Sequence, residues 1–155
     1  MPGEDEALAR YGRALADAVE HALGPWVVAS IERRLPADRR TPEVASHITE
    51  AAAQATADVT HRLRDLLALD LDDQWTNPLA IIRAAVRWPT AVLAAAGVPP
   101  VARDDHDAAL HPDDAYDLTP AAFADLGPDV HDAGLVWGAA KAHVHLRRRA
   151  AAETS

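Results

Sequence analysis

The chain reads as an all-α protein, a single-domain bundle of five or six helices with one long acidic loop. Three observations carry that reading. Apolar residues recur at three- and four-residue steps over long stretches, which gathers them on one face of a helix. Several of these stretches open on a hydroxyl or amide residue followed by proline: Thr41-Pro42, Asn77-Pro78 and Thr119-Pro120. No run alternates apolar and polar residues for long enough to make a strand. There is no internal repeat, and no heptad pattern beyond a partial one after Thr41.

The first helix is expected from about Glu4 to Leu23, on the stripe Leu8, Tyr11, Leu15, Val19, with Glu4, Asp5 and Glu6 at the positive end of its dipole. Gly24-Pro25 reads as its end, and Pro25 as the first residue of a short second helix, Trp26 to Leu35. Pro36 to Thr41 is a polar connector. Thr41-Pro42-Glu43 opens the helix expected to be the longest, the spine of the bundle, on Val44, Ile48, Ala52, Ala55, Val59, Leu63 and Leu66 as far as Leu69. Asp70 to Trp75 closes it.

Thr76-Asn77-Pro78 opens the next helix, with Leu79, Ile82, Val86, Pro89, Leu93 and Ala96 on one face. Pro89 is expected to kink or split it, and Gly97 to stop it. This apolar stretch carries Arg83, Arg87 and Pro89, which makes it a poor membrane span. Val98 to Leu118 is irregular. A short helix from Thr119 to Leu126 ends at Gly127-Pro128, and Asp129 or His131 leads into the last helix. Residues 1–150 form the domain, and residues 151–155 are expected to be a disordered tail.

The last helix, Gly134 to Arg149, has two contact-capable faces. Leu135, Val136, Ala139, Ala142, His143, Leu146 and Ala150 fall on one side; Trp137, Lys141, Val144 and Arg148 fall on the other, with Gly134, Gly138 and His145 beside them. A bundle helix needs only one apolar stripe, so one of these faces is left for a partner. Trp137, Lys141, Val144 and Arg148, with Arg147 and Arg149, are the expected interaction residues. Tryptophan and arginine anchor interfaces more often than other residues do, and the only lysine of the chain sits one turn after Trp137, where its ammonium can lie over the indole.

Composition narrows the function. The chain has no cysteine, which excludes disulfides, thiolate catalysis and Cys-ligated metal sites. Its acidic amino terminus lacks the basic-then-apolar order of a signal peptide. The formal net charge is −9, and nine aspartates with no lysine or arginine fall between Asp104 and Asp132, so the rest of the chain is balanced. That is the wrong balance for nucleic acid. The basic run Arg147-Arg148-Arg149 suits the negative end of a helix dipole without any ligand. It is also expected to draw the acidic loop along the last helix.

No Gly-x-Ser-x-Gly turn or phosphate-binding glycine loop occurs. The nearest approach to a metal site is the loop Asp104 to Asp114, where His106, His111, Asp104, Asp107 and Asp113 offer nitrogen and oxygen ligands without a standard spacing. His143 and His145, two apart on a helix, cannot share one ion.

The expected function is therefore that of a small cytoplasmic helical binding protein, an adaptor or regulatory interaction module. Its partner is another protein or a second copy; neither nucleic acid nor membrane is expected, and no catalysis or cofactor is evident. The alternative is a metal-binding protein or metal-dependent enzyme using the His/Asp loop with a divalent metal. A third reading is a bundle enclosing an apolar ligand.

Overall fold

A computed structural model describes residues 2–74, 76–99 and 123–154. Among these residues every regular element is helical, and there are four long helices: α1 (Pro2–Arg34), α2 (Pro42–Ala68), α3 (Pro78–Ala95) and α4 (Pro128–Thr154). Short 3-10 turns occupy Ala37–Arg39, Leu71–Asp73 and Phe123–Asp125. Beyond Val98 and Pro99, the long acidic stretch expected from Val98 to Leu118, and the first half of the short helix expected from Thr119 to Leu126, lie outside the described residues.

Helix α1 is the longest element at 33 residues, and it takes the central place expected of the helix after Thr41. It touches α2, α3 and α4. It also runs straight through Gly24-Pro25, where a break was expected. A proline inside a helix removes one hydrogen bond and crowds the preceding turn, at a cost of about 3 kcal/mol. What carries the helix through is burial. Leu15, Val19, Leu23, Val27 and Ile31 continue one stripe across the proline, and each is completely buried. Pro25 itself is exposed, so its ring occupies the solvent side. Gly24 lies on the inner side, where a Cβ would touch Thr56 Oγ1 at 3.4 Å, a close approach of α1 to α2.

Helices α1 and α2 run antiparallel. Arg64 of α2 holds Asp17 and Glu20 of α1 at 2.6 and 3.0 Å, and Arg40 donates to the carbonyl of Glu32 at 2.8 Å near the end of α1. The hydrogen bond from Arg64 to Asp17, reinforced by Glu20, raises the guanidinium above its ordinary pKa, so it stays charged at any accessible pH. Thr41 caps α2 as expected, its hydroxyl accepting from the Val44 N–H at 3.2 Å with Pro42 behind it. Ile48, Ala55, Val59, Leu63 and Leu66 are buried along the expected stripe.

Asn77 caps α3 through the Leu79 N–H at 2.9 Å. The expected disturbance at Pro89 appears one turn upstream, where Ala84–Val86 tightens to a 3-10 turn. The proline ring crowds this turn and brings no N–H to the Ala85 carbonyl, which accepts from the Arg87 N–H instead. Gly97, at φ +79°, ends the helix with the paired bonds Gly97 N–H to Ala94 and Val98 N–H to Leu93 that mark a left-handed cap. By length and composition α3 could cross a membrane, yet 44% of that window is packed inside the bundle. Its apolar residues Ile82, Ala85 and Leu93 are fully buried in the common core.

Candidate functional site

Helix α4 packs antiparallel on α1. Its start lies beside Asp17, Ala18 and His21, and its last turns reach Glu4 and Asp5. Val130, Gly134, Trp137 and Val144 are buried along its inner face. The Trp137 indole lies over Gly12 of α1, with Nε1 3.6 Å from where a Cβ would stand. Lys141 follows one turn later with its ammonium 4.9 Å from the indole centroid. The partly buried position removes water from that ammonium and lowers its pKa, because desolvation penalises the charged form.

The arginines at the end of α4 meet α1 and the α2–α3 connection. Arg147 pairs with Glu4, which also faces His143 at 3.9 Å. Arg148 reaches Asp5 and Asp70 at 3.1 Å each and Asp72 at 3.8 Å. Partial burial works against the charge of Arg148, but Asp70 and Asp5 outweigh it and raise its pKa. The acidic partners of these two arginines are thus Glu4, Asp5, Asp70 and Asp72. The stretch Asp104 to Asp114, expected to reach these arginines, lies outside the described residues.

Of the six residues expected to bind a partner, Trp137 and Val144 are 6% and 5% exposed and serve the internal contact with α1. Lys141 and Arg148 are half-buried beside them. Arg147 and Arg149 are exposed; Arg147 pairs with Glu4, and Arg149 has no ion-pair partner among the described residues. The face expected to seat α4 in the bundle is instead the outer one. Leu135 is 59% exposed, Val136 48% and Leu146 63%, with Ala139 and Ala142 exposed between them. These three side chains are most of the large apolar residues that the described molecule leaves in solvent. Helix α4 also continues through Thr154 rather than dissolving into a tail after residue 150.

Beside this outer face runs a groove of about 440 Å³ between α1 and α4, lined by Glu4, Leu8, Tyr11, Val136, Ala140 and His143 among others. Its walls are mostly apolar, and Val136 belongs to both the groove and the outer stripe. Gly134 is filled from the same molecule: the Phe123 ring lies flat against it, and any Cβ there would collide with the ring. Gly138 faces open space.

The alternative metal ligands His106, His111, Asp104, Asp107 and Asp113 lie outside the described residues. Among the described residues no three His, Asp or Glu side chains are grouped to hold a metal ion. Two buried hydroxyls, Ser30 and Thr60, have no hydrogen-bond partner among the described residues. Neither is hydrogen-bonded to an acid or base that could activate it as a nucleophile. Comparison of the chain with protein-family models, with curated proteins and with solved structures found no match.

Proposed function

We propose that this chain is a small cytoplasmic protein-binding module, adaptor or regulatory, which docks its partner on the outer face of α4 and the adjoining groove. One observation carries the reading. An amphipathic helix needs a single apolar stripe, and α4, already seated on α1 through Val130, Trp137 and Val144, holds a second stripe of Leu135, Val136 and Leu146 in solvent. Isolated exposed leucines are ordinary. A row of them along one helix face, beside an apolar groove, has the form of a helix-docking surface. The cation–π pair and the arginine cluster then act behind that surface, holding α4 in register on α1.

The test is a photo-reactive side chain placed at Val136, compared with one at Ala53, which is exposed on the far side of α2. The adducts are formed in cells and identified by mass spectrometry. Val136 is expected to give a defined protein adduct several-fold above Ala53, and the adduct is expected to disappear when Leu135 and Leu146 are both changed to glutamate. Equal, diffuse labelling at the two positions would overturn the reading.

A further inference from the structure

The outer stripe of α4 is self-complementary. From Asp132 to Arg149 the residues on this face are Asp132, Leu135, Ala139, Ala142, Leu146 and Arg149, and all six are exposed. Their spacing alternates three, four, three, four, three, the three-four alternation that keeps a seam facing a second helix. It reads the same in both directions about the midpoint between Ala140 and Lys141. The ends carry opposite charges. We infer that the occupant of this face is a second copy of the chain, paired antiparallel about a two-fold axis through that midpoint. This inference rests on the docking reading above and names its partner.

In that arrangement Leu135 meets Leu146 of the second copy and Ala139 meets Ala142, so the two small residues at the centre let the helices approach to the short end of the usual 8–10 Å. Asp132 meets Arg149 of the second copy, and the two-fold axis produces the pair twice. A parallel pairing would set Asp132 against Asp132 and Arg149 against Arg149. Charge therefore selects the antiparallel form. Both residues are available for it: neither Asp132 nor Arg149 has an ion-pair partner among the described residues, while the neighbouring Arg147 and Arg148 are held by Glu4, Asp5, Asp70 and Asp72.

The seam runs about 25 Å at 1.5 Å per residue. One helix face of that length falls short of the roughly 800 Å² per partner of a standard interface. The groove beside it, walled by Leu8, Tyr11 and Val136, widens the apolar contact. The dimer is accordingly expected to be reversible and to dissociate on dilution.

Sedimentation of the full chain over a wide concentration series at low salt tests this. The weight-average mass is expected to rise from the monomer's 16.6 kDa toward twice that value. Changing Leu135 and Leu146 together to glutamate should leave a monomer of unchanged helicity. Asp132→Arg or Arg149→Asp alone should weaken association about tenfold at low salt, and the two in one chain should restore it to within about threefold. The chain has no cysteine of its own, so a mixture of Leu135→Cys and Leu146→Cys chains should oxidise to the crossed disulfide rather than to like-with-like pairs.

A monomer at every concentration overturns the inference. So does a dimer indifferent to the charge exchange, or one giving like-with-like disulfides. A chain that stays monomeric yet crosslinks a different protein through Val136 loses the second copy and keeps the docking surface. A chain that does neither loses both.

Discussion

Helices α2 and α4 are equal in length, 27 residues each, and are built on opposite plans. Helix α2 puts its large aliphatic residues inward, with Ile48, Val59, Leu63 and Leu66 buried and only Pro42, polar residues and alanines exposed. Helix α4 puts Leu135, Val136 and Leu146 outward and turns inward a tryptophan, two valines, a lysine and an arginine. An inner face is chosen by the total contact it makes, not by the count of aliphatic residues. A tryptophan buries more surface than a leucine, and long cationic side chains cover apolar neighbours with their stems while keeping their charges near water. Here the Arg148 charge finds Asp5, Asp70 and Asp72.

Substitutions sharpen this contrast. The largest effects are expected for Trp137→Ala, at about 3–5 kcal/mol, and Leu63→Ala, at about 2–5 kcal/mol, because both empty buried space. Leu135→Ala and Leu146→Ala, read in dilute protein, should stay within about 0.5 kcal/mol of the parent. Urea midpoints measure all four. Costs at Leu135 and Leu146 comparable to that at Trp137 would break the assignment of the two faces.

The two glycines of α4 give the next effect, and its sign differs between them. Gly138→Ala has open space and should stabilise by up to about 1 kcal/mol through helix propensity. Gly134→Ala meets the Phe123 ring and should destabilise by about 1–3 kcal/mol, with Phe123 displaced from the helix. Thermal unfolding of the pair, with the Phe123 ring resonances as a local probe, checks both directions.

Arg148→Gln removes one cation from three carboxylates. These groups are largely solvated, so the loss should be about 1 kcal/mol at low ionic strength and should fade in high salt. A loss independent of salt would mean that Arg148 acts by packing.

Lys141 gives the smallest effect. Its folded-state pKa is lowered by desolvation, so the unfolded chain binds this proton more tightly than the folded one. The penalty is present below the folded pKa and is relieved as pH rises through it toward the ordinary lysine value. The stability difference between the parent and Lys141→Met should therefore shift in the parent's favour from about pH 8 to about pH 10. A flat difference would show that the ammonium is as well solvated folded as unfolded.

The contrast between α2 and α4 also explains what could be read from the chain. Helix α2 was legible because its start signal, Thr41-Pro42-Glu43, and its single stripe agree. The same holds for Asn77-Pro78 and Gly97 at the two ends of α3. Gly24-Pro25 misled because a breaker is a local signal, whereas the stripe that overrides it, from Leu15 to Ile31, acts only once α2 is packed against it. The two faces of α4 were visible, but which one is inward depends on Gly12, a residue with no side chain to announce a tryptophan site. Glu4 and Asp5 lie 143 positions from Arg147 and Arg148 in the chain, and no spacing pattern reports a contact of that range. In the sequence they served equally well as dipole-complementing residues at a helix start.

The inward and outward faces of α4 can be read directly by single thiols in this cysteine-free chain. Leu135→Cys, Leu146→Cys and Val144→Cys would each be labelled by a thiol reagent in dilute, folded protein, with helicity checked for all three. Labelling of the first two is expected at close to the unfolded rate and labelling of the third orders of magnitude more slowly, since Leu135 and Leu146 are exposed and Val144 is buried. Fast reaction at 144 with protection at 135 and 146 would contradict it.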